Sequence, residues 1–213
     1  MSAADPGVRG PEGWGGPAQR RGVVERSTAE TRVRVAVGLD GTGERWQVRT
    51  GLPFFDHMLA QLARHGRLDL EVEAEGDLAV DAHHTVEDVG ICLGRALGDA
   101  LGDRRGVRRF GSLAVPLDEA LVEVALDLSG RAFLAWGLTP EPTPLGDPPF
   151  HPQLAEEFWR AVVLGAGLTL HVRQLAGVNP HHVLEAAFKA LGRALREAVV
   201  LEGDGIPSTK GVL

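Results

Sequence analysis

The segment HHTVEDVGICLGRAL at residues 83–97 returns without a gap as HHVLEAAFKALGRAL at residues 181–195. The offset is 98 residues, and His83/His181, His84/His182 and Glu87/Glu185 all keep it. VRVAVGLDGTG, starting at Val33, is echoed by VEVALDLSG, starting at Val122. Self-similarity of this kind indicates one α+β unit present twice. Units of roughly 90 residues are small to stand alone, so two halves, about 22–104 and 105–213, are expected to share a core.

Hydrophobic spacing gives the elements inside each unit. Val33, Val35, Val37 and Leu39 alternate as a half-buried strand does, and Asp40-Gly41 marks a turn after it. Pro53 suits a first helical turn, with Phe54, Phe55, Met58, Leu59 and Leu62 following on one face. Leu68, Leu70 and Val72 alternate again, and a helix is expected from His83 to about Leu101. In the second half, Val122, Val124, Leu126 and Leu128 predict a strand, with its hairpin partner expected from Arg131 to Leu138. A helix over residues 154–164, a strand at Leu168, Leu170 and Val172, and a helix from near His181 to Val199 complete the order. Residues 139–152, rich in proline, read as the main internal loop, and residues 1–21, crowded with Gly and Pro, as a disordered arm.

Composition narrows the function. A formal net charge of -7 disfavours a nucleic acid held on a basic surface, while a small anion needs only a few local cations. No apolar run reaches the length of roughly 20 residues that spans a bilayer, and the start of the chain lacks the order of a secretory signal. The single cysteine, Cys92, cannot form an internal disulfide, which suits a reducing compartment. The expected location is the cytoplasm.

The doubled H-H-x-x-E carries the chemistry. On a helix, His83 and Glu87 share a face at i, i+4, while His84 points about 100° away from His83. One metal would not easily take both neighbouring histidines; two metals could take one each. Six imidazole and carboxylate donors in two copies therefore suggest two ions, and mixed nitrogen and oxygen donors favour Mn, Fe, Co, Ni or Zn over Ca or Mg. His57 and His171 could complete the shells, but they fall opposite Glu157 and Glu71 in the repeat, so the duplication does not cover them. His65 and His151 have no support from sequence. For an anion the candidates are Arg109, Arg131, Lys189 and the tail residues Ser208, Thr209 and Lys210. Three readings stay open on these residues: a lyase, a dinuclear metallohydrolase, and a non-catalytic metal-binding shell.

Seven blocks in order, ETRVRVAVGLDGTG, TGLPFFDHMLAQLARHG, DAHHTVEDVGICLG, RRFG…PLDEALVEVALDLSGR, LTLHVRQLAG, HHVLEAAFKALGRAL and IPSTKGVL, resemble the imidazoleglycerol-phosphate dehydratase family from about Arg26 to Leu213. The resemblance implies a lyase of histidine biosynthesis that turns imidazole glycerol phosphate into imidazole acetol phosphate. It implies two Mn2+ ions per active site that hold the substrate ring as imidazolate. One ion falls to His57, His84, His181 and Glu185; the other falls to His83, Glu87, His171 and His182. Phosphate contacts are implied for Gln61, Arg109, Arg131, Lys189, Ser208 and Lys210, and acid/base work for Glu30. The implied fold is a duplicated α+β unit, two sheets packed around helices, resembling the ribosomal protein S5 domain 2-like class. The implied assembly is a homo-oligomer of 24 subunits built from trimers. Departures are minor: Thr209 stands for the commoner Ser, Phe55 for a usual Leu, and one extra residue lies between Gly43 and Gly51. Pro180 replaces a common Ser before the second fork, which predicts the loss of a capping hydroxyl.

Overall fold

A computed structural model of the chain describes residues 20–211 and residue 213. The expected arm therefore lies outside the described residues as far as residue 19. Its last two positions are ordered: Arg21 opens the first strand, and Arg20 donates to the Asp40 carboxylate and, over 2.7 Å, to the Val199 carbonyl.

Among the described residues, a set of four strands and two helices occurs twice in the same order. The first set is β1 (Arg21–Ser27), β2 (Thr31–Gly38), β3 (Trp46–Arg49), α1 (Pro53–Gly66), β4 (Asp69–Gly76) and α2 (His83–Leu101). The second is β5 (Phe110–Leu117), β6 (Ala120–Asp127), β7 (Phe133–Gly137), α3 (Leu154–Ala166), β8 (Thr169–Ala176) and α4 (Pro180–Ala198). Each set makes a four-stranded sheet, ordered β1-β2-β4-β3 and β5-β6-β8-β7. This is the duplicated α+β architecture expected from the repeat. Registers agree between halves: Ala36 on β2 faces Glu71 on β4, and Ala125 on β6 faces His171 on β8.

One expected pairing is wrong. The strand within residues 131–138 is not the hairpin partner of β6; β7 runs parallel to β8. A strand has two edges, and both edges of β6 are taken, by β5 through the tight Asp118-Glu119 turn and by β8. The chain then crosses through α3 before returning, as parallel neighbours require. Strands β1, β3 and β5 are additions to the sequence reading. β5 carries Pro116 on a sheet edge, where a missing N–H is tolerated.

The helices are exchanged between halves. α2 covers β1 and β2 but packs on α3; α4 covers β5 and β6 but packs on α1. Both crossings need glycine. A Cβ on Gly94 of α2 would lie 2.6 Å from the Val162 carbonyl oxygen, and one on Gly192 of α4 would lie 2.8 Å from the Leu62 carbonyl oxygen. These two glycines are themselves 98 positions apart, so the duplication extends to backbone contact. One continuous buried cluster runs from Val33 to Val199 through both halves. The loop over residues 139–152 is irregular as expected, yet Phe150 on it is fully buried and stacks on Phe55 at 5.6 Å. No helix among the described residues is long and apolar enough to cross a membrane.

Candidate active site

The second fork is built at the start of α4. Asn179 caps the helix, its side chain accepting from the backbone N–H of His181 at 2.9 Å and of His182 at 3.3 Å. Pro180 takes the first helical position, so the cap expected to be lost is supplied one residue earlier. At the first fork Ala82 gives no cap, and Asp81 Oδ1 accepts from the His83 N–H at 2.7 Å. Neighbouring imidazoles diverge in both forks: the ring planes of His83 and His84 stand at 90°, those of His181 and His182 at 80°.

Because α1 packs on α4, His57 meets the second fork. Nε2 of His57 lies 3.2 Å and Nε2 of His181 2.8 Å from Glu185 Oε2. Ligand atoms of these three residues lie within 4.8 Å of one another, and among the described residues they form the one group of this kind. Burial alone would raise Glu185, but hydrogen bonds from Lys189, His181 and His57 outweigh it and hold the carboxyl at about 2. An ionised carboxylate between two imidazoles is a donor set that fits a divalent transition metal.

The corresponding place in the first half is different. Glu157 on α3 lines a hollow of about 380 Å³ with Glu87, where His57 would stand by the repeat, and Arg160 pairs with Glu156 and Glu157. Among the described residues, His83 and Glu87 belong to no such group of three ligands. His171 sits exposed on β8, its ring 5.6 Å from that of Phe133. His84 stays with the first half: its Nδ1 lies 3.0 Å from Asp77 Oδ2 and 3.8 Å from Glu30 Oε2. His182 is held in the same manner by Glu119, whose Oε2 lies 2.7 Å from Nδ1. The hydrogen bond with His182 brings Glu119 down to about 2 and raises His182, while Asp77 raises His84. In both halves the second histidine of the fork thus has Nδ1 on a carboxylate, which leaves Nε2 for a ligand. Asp77 and Glu119 were not singled out from sequence. The repeat could have flagged Glu119, which stands in VEVALDLSG's lead-in where Glu30 stands in the first copy.

The anion candidates gather elsewhere. Arg109, Arg131, Ser208, Thr209 and Lys210 line, with Pro207, a hollow of about 580 Å³. Arg109 shapes it: Nε and Nη2 donate to Asp127 at 2.7 and 3.1 Å, and Nη1 donates to the Pro207 carbonyl at 2.8 Å, so one side chain ties β6 to the tail. Gln61 and Lys189 do not join this group. Gln61 lies one turn beyond His57 on α1, and Lys189 one turn beyond Glu185 on α4, with Lys189 Nζ 2.6 Å from Glu185 Oε1.

Comparison with known proteins decides the family. The family model described as imidazoleglycerol-phosphate dehydratase matches residues 50–195, more than half of the chain. The chain belongs to this family. The dehydratase of Moorella thermoacetica is 62% identical over 196 residues, covering 91% of this chain and 98% of the relative. That of Methanopyrus kandleri is 55% identical, covering 89% and 94%. Two solved dehydratases share the fold. The Pyrococcus furiosus enzyme has a TM-score of 0.77 at 37% identity, covering 89% of this chain and all of that one. The Staphylococcus aureus enzyme has a TM-score of 0.76 at 35% identity, covering 85% and 99%.

Proposed function

We propose that this chain is a hydro-lyase that dehydrates imidazole glycerol phosphate to imidazole acetol phosphate in histidine biosynthesis, with two Mn2+ ions per active site. The observation that carries the reading is the convergence of His57, His181 and the ionised Glu185, in a chain of the dehydratase family. His57, His84, His181 and Glu185 would hold one ion, and His83, Glu87, His171 and His182 the other. Manganese held by these residues would supply Lewis acidity that favours the anionic form of the substrate's imidazole ring.

The chain's own groups do the rest. As the bond from C3 to its hydroxyl breaks, Glu30 takes the C2 proton and a C2=C3 double bond forms. That proton passes from Glu30 to the departing hydroxyl to give water, and the resulting enol tautomerises to the ketone, losing its hydroxyl proton while C3 gains one. Arg109, Arg131, Ser208, Thr209 and Lys210, joined by Gln61 and Lys189 of another copy, bind the phosphate and so fix the C2–C3 bond against the base.

Each proposed ligand set is divided within one chain. His84 bonds Asp77, away from the group formed by His57, His181 and Glu185. A homo-oligomer, 24 subunits built from trimers, in which one copy's α2 meets another copy's α4, accounts for that division. The protein then works in the cytoplasm on a small phosphorylated substrate.

Purified protein incubated with Mn2+ and imidazole glycerol phosphate is expected to release the keto product. Chelation should abolish this and Mn2+ restore it. Release of inorganic phosphate without ketone would show a hydrolase instead.

A further inference from the structure

A polar network anchored on the buried Asp88 and Thr31 lies under the β1–β2 turn. Asp88 on α2 is only 6% exposed, and its Oδ1 accepts from Arg26 Nε at 2.9 Å. Its Oδ2 accepts from the Thr31 hydroxyl. Thr31 Oγ1 lies 3.2 Å from Thr28 Oγ1, which accepts from the backbone N–H groups of Glu30 at 3.1 Å and Thr31 at 3.0 Å. Hydrogen-bond bookkeeping fixes the direction of this chain. Both lone pairs of Thr28 Oγ1 are taken by N–H groups, so its proton goes to Thr31, and the Thr31 proton goes to Asp88. Only a group that accepts at both ends can occupy position 88.

The other half of the molecule reveals what this network is not for. By strand register and repeat offset, Arg26, Thr28, Thr31 and Asp88 correspond to Val115, Leu117, Ala120 and Ala186. Ala120 and Ala186 are buried, and Val115 and Leu117 pack against the core. The same hairpin on the same helix is thus built from apolar side chains. An ion pair with one buried partner, as Asp88 is beside the partly exposed Arg26, stabilises a fold poorly beside an apolar alternative, so its presence in one half needs another reason.

The reason is at the tip. Glu30 and Glu119 hold the same repeat position, but their carboxylates are used differently. Glu119 is spent on His182 at 2.7 Å. Glu30 stays 3.8 Å from His84, because Asp77 takes that imidazole at 3.0 Å; the repeat places Gly177 where Asp77 stands. In the first half the backbone of the tip is fixed from below while the carboxylate is left without a hydrogen-bond partner among the described contacts.

We propose that Asp88, acting through Thr31 and Thr28 and steadied by Arg26, is a positioning group that fixes the Glu30 backbone against the α2 fork while keeping its carboxylate free to move a proton. The inference rests on Glu30 being the base. Asp88 itself touches no substrate.

Thr31→Val keeps the shape of the side chain and breaks the relay. It is expected to lower kcat by at least about tenfold, as a small misplacement of a reacting group does. KM and bound metal should not change, and amide exchange at Glu30 and Thr31 should become faster in the metal-free protein. Thr31→Ser should recover most of the turnover. The swap Arg26→Val/Thr28→Leu/Thr31→Ala/Asp88→Ala installs the second half's own solution; it is expected to fold and to lose turnover in the same way. In a Glu30→Gln background, Thr31→Val should cost nothing further. Unchanged kcat in Thr31→Val, or no recovery in Thr31→Ser, overturns the positioning role while leaving Glu30 as base. Near-normal turnover of Glu30→Gln overturns the assignment of the base, and this inference with it.

Discussion

Nε2 of His57 lies 3.2 Å from Oε2 of Glu185, although 128 residues separate them in the chain. The contact exists because α1 and α4 cross with almost no space between backbones. Gly192 is the point of contact, with Leu62 O and Gly66 N both within 2.9 Å of where a Cβ would stand. Gly192→Ala must part the helices. It should destabilise the protein by about 1–3 kcal/mol in denaturant titration and weaken metal binding measured by calorimetry. Gly203→Ala, where a Cβ meets nothing within 4 Å, should change stability by less than about 0.5 kcal/mol. Equal metal affinity in Gly192→Ala and the parent would detach the cluster from the helix crossing.

Glu185 makes metal-free stability depend on pH in a defined window. Its folded-state value of about 2 lies below the ordinary 4.5. A depressed carboxylate binds fewer protons folded than unfolded, so its contribution is complete above 4.5 and is lost as pH falls toward 2. Urea midpoints of the chelated protein should therefore drop across that interval. Glu185→Gln should flatten this part of the profile. A profile as steep as that of the parent would refute the assignment.

Removing one anion-facing charge should show itself in binding first. Arg131 is an open cation of the tail hollow, its side chain 68% exposed and 4.0 Å from Asp127, whereas Arg109 is fully engaged with Asp127 and Pro207. Arg131→Ala is expected to raise KM for the phosphorylated substrate by roughly tenfold or more, the worth of a charge-assisted hydrogen bond, with a smaller effect on kcat. Arg109→Ala should do more, because it also releases the tail. Steady-state kinetics on the two variants would separate these effects; a larger loss in Arg131→Ala contradicts the geometry.

A small stabilisation is available at the end of α1. Arg67 adopts φ 52, a left-handed conformation that costs a side chain about 1 kcal/mol and glycine little. The second half uses Gly167, φ 60, at the same helix terminus. Arg67→Gly should raise stability by about 0.5–1 kcal/mol without altering turnover. A lowered melting temperature would mean that the Arg67 side chain contributes more than its backbone costs.

Local patterns in the sequence determined a good deal. The repeat offset gave the duplicated α+β architecture, the apolar period gave all four helices, and the i, i+4 spacing put His181 beside Glu185. These are properties of one helix or strand, decided by side chains within a turn of each other. Strands β1, β3 and β5 were less legible because short edge strands bury little and alternate weakly. The fork itself could not say which fork would close. Tertiary structure decided that α1 docks on α4 and α3 on α2, so that His57 completes a group of three in one half while Glu157 stands at the same place in the other. It decided that β7 joins β8 and not β6, and that Asp77 and Glu119 each restrain an imidazole. Such choices depend on which surfaces fit at glycine contacts far apart in the chain, Gly94 on Val162 and Gly192 on Leu62, and no periodicity along the chain records that fit.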